Sequence, residues 1–458
     1  MKVIICGAGR VGYGIAERLS QEDNDVSVID ISPALIAAIT ETLDVSGVVG
    51  HGAHPEVLAR AGAEAAEMII AVTLHDEINM VACQVAHSLF KVPTKIARIR
   101  AQSYLAPEYS DLFSRDDMPI DVAISPEIEV GKMALRRISY PGATDVVRFA
   151  DDKIVMLAIE CMEDCPVVNT PLQQLTELFP DLKATVTAVY RDGKLFVARS
   201  ADELQTGDLA YVVCDAAHVR RTLSLFGHEE QEARRIVIAG GGNIGLFVAR
   251  TIEQFQPRTR IKIIENNRER AVHIADQLRN TVVLHGSALD QKIQQQADME
   301  NADLFVALTN NDQINILGSV MAKSLGCRQS LVLLNDPAFH DLIDSMDIDA
   351  HINPRAVTIS GILQHVRKGR IRSVYAVQKG SAEVIEAEAL ETSPLVGTAL
   401  RDLDLPEGIR IGAIYRDGTV LAPGGELRIK AKDRVVLLAT GDAIRHVQQL
   451  FRVSIQYF

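Results

Sequence analysis

Long apolar runs are missing from this 458-residue sequence. None approaches the roughly 20 consecutive apolar residues that a membrane-spanning helix needs. The short apolar run near Met1 is interrupted at once by Gly7, Gly9 and Gly12, so we expect no signal peptide. The six cysteines are scattered and form no paired framework. A reducing cytoplasm is therefore the expected compartment.

Positive charge is scarce as well. Lysine and arginine together number 47, against 60 aspartates and glutamates, which gives a formal net charge of −13. Nucleic acids and acidic lipid surfaces both select cationic proteins. The charge balance argues against both, and we expect no nucleic-acid partner.

The sequence also lacks the motifs of familiar catalysts. It has no Ser-His-Asp or Cys-His nucleophile context, no zinc-ligand spacing and no Walker motif. The nearest candidate, Cys161 with Cys165, departs from the Cys-x-x-Cys spacing of redox and metal pairs. We expect no metal, no catalytic residue and no enzymatic activity.

What the chain does contain is one pattern written twice. The opening stretch Val3–Gly12 returns in the second half as Ile236–Gly245, and His51-Gly52 returns as His285-Gly286. Later landmarks repeat in the same order. A repeat of this length indicates a duplicated two-domain unit.

The first part of each copy alternates β-branched apolar runs with helical patterns, which is typical of a parallel α/β sheet. Six strands joined by helices predict a doubly wound, Rossmann-like domain in each copy. The predicted strands are 2–6, 26–30, 45–49, 67–72, 94–99 and 121–124 in copy one, and 235–239, 260–265, 281–285, 303–308, 330–334 and 349–352 in copy two.

The second part of each copy contains several short strands and a closing helix, which indicates a small α+β domain. Asp192-Gly193 and Asp417-Gly418 stand between apolar runs and predict hairpin turns. The expected organisation is an α/β domain at 1–125 with a helix at 126–140, a small domain at 141–227, a second α/β domain at 233–353 with a helix at 354–368, and a second small domain at 370–458.

Each copy opens with a Gly-x-Gly-x-x-Gly turn between a strand and a helix. The first glycine permits the tight bend, the second lets the backbone approach a pyrophosphate, and the third lets the helix pack on the strand. The helix N-terminus adds unpaired N–H groups for the anion. The candidate nucleotide-binding residues of these turns are Gly7, Ala8, Gly9, Arg10, Val11 and Gly12 in copy one, and Gly240, Gly242, Asn243, Ile244 and Gly245 in copy two.

An acid ends the second predicted strand of each copy, Asp30 in the first and Glu265 in the second. Its carboxylate can accept hydrogen bonds from ribose hydroxyls, which favours NAD(H) or adenosine over NADP. The alternative is that these acids cap the next helix or face solvent.

Other candidates follow the third and fourth strands. His51-Gly52 and His285-Gly286 lie where backbone contact with a nucleotide is expected, or they are ordinary loop residues. Thr73 and Thr309 end the fourth strand, where a hydroxyl can meet a phosphate or a nicotinamide; helix capping is the alternative. The acids that follow, Asp76 and Asp312, are expected to serve the start of the next helix.

Two arginines, Arg98 and Arg100, follow the fifth strand of copy one on one face. Their guanidinium groups can bind the β- or γ-phosphate of ADP or ATP, or they form a solvated or ion-paired surface. Copy two has no arginine in Leu331–Asn335, which allows the two copies to differ in ligand. An NAD-dependent oxidoreductase is the enzymatic alternative, but the partner domains are small and carry no evident acid or base.

These motifs resemble the RCK (also KTN) family, whose domains regulate potassium transport. The resemblance rests on Gly7–Gly12, Asp30, His51–Pro55 and the Thr73 to Asn79 stretch, and on the Tyr-Arg-Asp-Gly hairpins of the small domains. Where the family usually has Gly-Asp after the third strand, this chain has Gly52-Ala53 and, in copy two, a serine after Gly286.

Two tandem copies resemble the NAD-binding regulatory subunit of the bacterial Trk potassium uptake system. That resemblance implies ligands NAD(H) and ATP or ADP, a homotetramer, and a TrkH-like integral membrane potassium transporter as partner. It implies a location at the cytoplasmic, inner face of the plasma membrane through that partner. The helices at 126–140 and 354–368 are the expected crossovers that pack one domain on its neighbour. A regulator of a different cation transporter is the alternative.

Overall fold

The architecture comes from a computed structural model of the full chain. It describes residues 1–22, 24–114, 116–339, 343, 346–366 and 371–451. Among these residues, no helix has the length and apolar character needed to cross a membrane.

The first α/β domain is a six-stranded sheet flanked by helices. Its strands are β1 (Lys2–Cys6), β2 (Asp25–Asp30), β3 (Ser46–Val49), β4 (Met68–Ala71), β5 (Thr94–Arg98) and β6 (Val122–Ile124). Its helices are α1 (Arg10–Gln21), α2 (Pro33–Thr42), α3 (Pro55–Arg60), α4 (Asp76–Phe90) and α5 (Pro126–Ser139). All strands pair in parallel in the order β3-β2-β1-β4-β5-β6, which confirms the doubly wound sheet.

The first small domain follows. Its strands are β7 (Ala143–Phe149), β8 (Ile154–Glu160), β9 (Thr185–Arg191), β10 (Lys194–Val197) and β11 (Leu209–Asp215), and its helices are α6 (Leu172–Leu178) and α7 (Val219–Leu225). The strands form an antiparallel sheet in the order β10-β9-β11-β8-β7. The predicted hairpin is present, because Asp192 and Gly193 have φ values of 49° and 77° between β9 and β10.

The second α/β domain repeats the first. Its strands are β12 (Arg235–Ala239), β13 (Arg260–Glu265), β14 (Val282–His285), β15 (Leu304–Ala307), β16 (Gln329–Leu333) and β17 (Ala350–Ile352). Its helices are α8 (Asn243–Phe255), α9 (Arg268–Ala275), α10 (Gln291–Gln296), α11 (Asp312–Ser324) and α12 (Pro354–Val366). The parallel order β14-β13-β12-β15-β16-β17 matches that of the first domain.

The second small domain contains β18 (Ile371–Val377), β19 (Ala382–Glu388), β20 (Ile409–Arg416), β21 (Thr419–Leu421), β22 (Arg434–Thr440) and helix α13 (Ile444–Leu450). Its strands pair antiparallel in the order β18-β19-β22-β20-β21. The turn at Asp417-Gly418 has positive φ at both residues, as the hairpin prediction requires.

The continuous apolar runs of the sequence are explained by burial on both faces of the parallel sheets. In β1, Val3 and Ile5 belong to one core cluster and Ile4 and Cys6 to another, and all four are fully buried. The central strand therefore has apolar side chains on both faces and no alternation of apolar and polar residues. The glycine turn follows directly after its last residue.

By their internal packing the residues form two units. The first contains Met1–Leu135 and Ala233–Val366, which are the two α/β domains, and the second contains Arg136–Glu232 with the described residues after Val366. The domain boundaries expected from the sequence stay a prediction. At the ends of those expected ranges, residues 367, 368, 370 and 452–458 lie outside the described residues.

Within the first unit, the two α/β domains meet through paired helices in a repeated way. Helix α12 lies on α1, where a Cβ atom at Gly14 would stand 2.4 Å from Ile359 Cδ1. In the same way a Cβ atom at Gly131 of α5 would stand 2.3 Å from Phe247 Cδ1 of α8. Each glycine makes room for the large side chain opposite, so both close approaches depend on the absence of a Cβ.

Within the second unit, the two antiparallel sheets pack face to face. One hydrophobic cluster contains Met156 and Tyr211 of the first sheet together with Val384 and Leu438 of the second. The Tyr375 hydroxyl also donates a hydrogen bond to Asp145 Oδ2 across this interface, at 2.8 Å. The two small domains thus share one hydrophobic cluster, in addition to the cluster that each domain has of its own.

Candidate functional site

The first glycine turn has the geometry that its sequence predicts. Gly7 has φ +112° and its N–H donates to Ile29 O at 2.8 Å. A Cβ atom at Gly12 would lie 1.8 Å from Gly7 O, so only glycine lets α1 come so close to the turn. A Cβ atom at Gly9 would meet nothing within 4 Å, which leaves open space at the start of α1. Val11 is half-buried against the core.

The second turn reproduces these features. Gly240 has φ +103°, and a Cβ atom at Gly245 would lie 2.0 Å from Gly240 O. The position of Gly242 is open, because a Cβ atom there would also meet nothing within 4 Å. Gly242 is the N-cap of α8, and no side chain caps that helix start. The backbone N–H groups there are available to an anion.

The two acids at the ends of the second strands accept hydrogen bonds from the backbone of the glycine turns. Asp30 accepts hydrogen bonds from Ala8 N at 2.7 Å and Ser32 N at 2.8 Å. Glu265 likewise accepts from Gly241 N at 2.7 Å and Asn267 N at 2.8 Å. Each bond uses a different carboxylate oxygen, and each oxygen has a second lone pair left for a ribose hydroxyl. The binding of a ribose by these acids stays a prediction. Their hydrogen bonds to the backbone of the turns are a structural role that the sequence analysis did not identify.

The residues after the third strands fill the loop beside each acid. His51 stacks on His54 with ring centroids 4.6 Å apart. A Cβ atom at Gly52 would lie 3.1 Å from Cys6 Cβ, so this loop lies against the end of β1. In the second domain Gly286 N–H donates to Glu265 O at 2.9 Å, directly after His285 at the end of β14. Their contact with a nucleotide stays a prediction.

The threonines after the fourth strands bond to asparagines to which the sequence analysis assigned no role. Thr73 Oγ1 lies 2.7 Å from Asn79 Oδ1, and Asn79 Nδ2 donates to Arg98 O at 2.9 Å. Thr309 and Asn315 repeat the first contact at 2.6 Å. Both asparagines are fully buried. The equal spacing of six residues in both copies was the signal that could have found them.

The acids at the start of α4 and α11 do more than serve those helices. Asp76 accepts hydrogen bonds from the backbone N–H groups of Arg100 and Ala101, at 2.8 to 3.0 Å. Asp312 accepts in the same way from Asn335 and Asp336. Each acid thus fixes the loop that follows the fifth strand. The expectation that they act at the helix start alone was incomplete.

In the first domain, Arg98 is the last residue of β5 and Arg100 lies in the loop that follows it. Arg100 Nε donates to Glu127 Oε1 at 3.0 Å, yet its side chain is 49% exposed. Burial, with a further contribution from Arg100, lowers the pKa of Arg98, and Glu127 and Asp76 oppose this. Arg98 Nε and Glu127 Oε2 have no hydrogen-bond partner among the described residues.

These arginines border the cleft that contains the second glycine turn. The cleft has a volume of about 940 Å³. One wall comes from the second domain and includes Gly240, Gly242, Asn243, Ile244, Glu265, Gly286 and Thr309. The other comes from the first domain and includes Arg10, Arg98, Arg100 and Glu127. Three arginines therefore face a glycine turn that belongs to the other copy.

The groups that line this cleft fit the phosphates and the ribose of a nucleotide. Open backbone at Gly242 and guanidinium groups opposite suit phosphates, and Glu265 suits a ribose. No group of three or more His, Cys, Asp or Glu side chains is arranged to hold a metal ion within the described part of the chain.

Solved structures share this fold. The crystal structure of the GsuK RCK domain matches with a TM-score of 0.60 and 17% identity, covering 98% of this chain and 94% of that one. The GsuK channel bound to NAD matches with a TM-score of 0.60 and 17% identity, covering 98% of this chain and 78% of that one. At such low identity these likenesses show the fold.

Sequence comparisons are more specific. The family model of the TrkA-N domain matches residues 3–126 and 236–354, and that of the TrkA-C domain matches 156–227 and 384–452. The chain is 58% identical over 458 residues to the Trk system potassium uptake protein TrkA of Azorhizobium caulinodans, and 39% identical over 462 residues to that of Halomonas elongata, with 100% of both chains covered in each case. The chain belongs to the TrkA family.

Proposed function

We propose that this chain is the nucleotide-sensing regulatory subunit of a Trk-type potassium uptake system. Relatives that match over their whole length are named as parts of that system, and the GsuK channel, whose fold is similar, is described as bound to NAD. The observation that carries the proposal is the cleft in which the second glycine turn faces Arg10, Arg98 and Arg100 of the first domain.

The proposed ligands are NAD(H) and ATP or ADP. In the second domain, the backbone at Gly242 and the N-terminus of α8 would hold the phosphates, and Glu265 would hold the ribose. Arg98 and Arg100 line the opposite wall, and the guanidinium of Arg100 is half-exposed. The phosphates of the ligand would bring two or more negative charges between those walls. These charges would balance the positive charge of the arginines.

Binding between two walls also explains how a site without chemistry can regulate. A ligand held by both α/β domains stabilises the arrangement in which both walls are within its reach. Because the ligand binds this arrangement more tightly than other arrangements of the two domains, it raises the population of this arrangement. No bond needs to be made or broken, so we expect nucleotide binding without turnover.

The output is proposed to be a membrane partner. We infer a homotetramer on the cytoplasmic, inner face of the plasma membrane, bound to a TrkH-like integral membrane potassium transporter. Co-purification of the tagged chain with that transporter, and potassium uptake with and without the chain, test this part. Uptake that does not change when the chain is deleted would contradict it.

Calorimetric titration of the full chain with NADH, NAD⁺, ATP and ADP tests the sensing function. The expected result is saturable heat with at least one nucleotide, and unchanged nucleotide by chromatography after long incubation. Absence of heat with all four nucleotides would overturn the proposal, and steady conversion of a nucleotide would overturn its non-enzymatic character.

A further inference from the structure

Arg270 lies outside the sequence motifs, but its side chain bonds to the second glycine turn and holds it as a clamp. It lies in the first turn of α9, five residues after Glu265. Its Nε donates to Gly241 O at 2.8 Å, and a terminal guanidinium nitrogen lies 3.4 Å from Asn243 Oδ1. Since Glu265 accepts from Gly241 N, side chains bond to both the N–H and the C=O of Gly241.

The first domain has a different surface at the equivalent positions. Leu35 stands where the second domain has Arg270, and Ile31 stands where it has Asn266. Leu35 is 42% exposed and Ile31 is 71% exposed, an apolar pair beside the ribose-binding candidate Asp30. Arg270 and Asn266 line the cleft in the second domain. The two copies thus offer an aliphatic and a cationic surface at the same place.

That place follows from the covalent structure of an adenine nucleotide. The acid at the end of the second strand contacts the ribose, and the base is attached to the same ribose. The base must therefore lie near the residues that follow the acid, which are the loop and the first turn of the next helix. In the second domain this segment carries Arg270.

We propose that the Arg270 guanidinium is the stacking platform for the adenine ring of the nucleotide in the second site, an inference that rests on the proposed function. Its Nε edge is directed to the glycine turn by the contacts with Gly241 and Asn243. A guanidinium held by its edge presents its flat face, and flat guanidinium faces stack on aromatic rings. Lysine offers the same charge without the plane.

The test compares a large base with a small one. Full-length chain carrying Gly9→Asp in the first site is titrated with ADP and with UDP, and the ratio of the two dissociation constants is measured. Arg270→Leu and Arg270→Lys are introduced into that background. Leucine is tolerated at the same position of the first domain, as Leu35, so Arg270→Leu is expected to fold, and its melting temperature checks this.

The expected result is a loss of the preference for ADP over UDP by about tenfold in both variants, because base stacking is typically worth that much. Equal weakening of ADP and UDP would show that Arg270 acts only as a clamp, and would overturn the inference. Full rescue by lysine would overturn it as well, since charge alone would then suffice. If the Gly9→Asp parent binds neither nucleotide, the proposed second site itself is wrong.

Discussion

Replacing Gly9 by aspartate is the sharpest test of the glycine turns, because the structure separates its effect on binding from its effect on folding. A Cβ atom at Gly9 meets nothing within 4 Å, and Gly9 has the extended backbone of a helix N-cap, with φ −65°. Aspartate is a favoured N-cap residue. We therefore expect Gly9→Asp to fold normally, with an unchanged or slightly raised melting temperature.

Its effect on binding is expected to be large. The new carboxylate would lie where the phosphates approach the start of α1. Two unit charges about 4 Å apart repel each other by roughly 4 kcal/mol at the effective dielectric of a protein surface. That energy corresponds to about a thousandfold loss of affinity. Gly242→Asp should do the same to the second site, since a Cβ atom there is equally unobstructed.

The assay is calorimetry with NADH and ADP, read for the number of sites as well as for affinity. Gly9→Asn is the matched control, because it has the same shape and capping ability without the charge. Each aspartate variant should lose one class of site and keep the other, and the double variant should bind nothing. Should Gly9→Asp and Gly9→Asn bind alike, repulsion of a phosphate is the wrong explanation, and the turn does not hold the anion.

Four further substitutions test other contacts. Arg98→Ala or Arg100→Ala, in the Gly9→Asp background, should weaken ADP binding at the second site about tenfold or more, because a charge-assisted hydrogen bond is worth about 1.5–3 kcal/mol. Equilibrium dialysis measures this affinity. An unchanged affinity would show that the first domain does not contribute to the second site. Asn315→Ala removes bonds to Thr309 and Leu333 O and should lower the free energy of unfolding by about 2–3 kcal/mol, seen as a lower calorimetric melting temperature. Desolvation raises the pKa of Glu253, but hydrogen bonds from the Arg279 to Thr281 segment outweigh it and lower the pKa below its ordinary 4.5. The stability that this carboxylate supplies is complete above that value and lost as the pH falls through the lowered pKa, so Glu253→Gln should flatten the acid side of the melting-temperature profile.

The duplication made most of the fold predictable. Strands of the two parallel sheets lie within one or two residues of their predicted positions, because continuous β-branched runs between helical patterns have few other solutions. The helix predicted at 126–140 is Pro126–Ser139 in the structure. Both Asp-Gly hairpins formed as expected, since their positive φ values suit those residues.

The candidate site was only partly predictable. Alternation placed Arg98 and Arg100 on one face, but no spacing within a copy shows which glycine turn that face meets. The structure places them in the cleft of the second turn, a relation that exists only after two domains have packed. Arg270 was not predicted as a site residue for another reason. It lies outside the glycine motif, and only comparison with Leu35 in the repeat marks it as unusual.

The tandem arrangement itself has a physical consequence for a sensor. In a symmetric dimer of identical chains, both halves of the interface must use the same residues. Here the two halves are encoded separately, and they have diverged. At the paired helices, Gly14 faces Ile359 on one side, while Phe247 faces Gly131 on the other.

The same freedom applies to the ligand-facing positions. Arg10, Arg98 and Arg100 of the first domain correspond to Asn243, Leu333 and Asn335 in the second, which carry no charge. A nucleotide at the first turn and a nucleotide at the second therefore cannot meet identical walls. One chain can then respond to two ligands of different charge, because each site biases the same pair of domains with its own difference in affinity. Calorimetry on the two single-site variants, Gly9→Asp and Gly242→Asp, would show this as opposite preferences among NADH, ADP and ATP, and identical preferences would refute it.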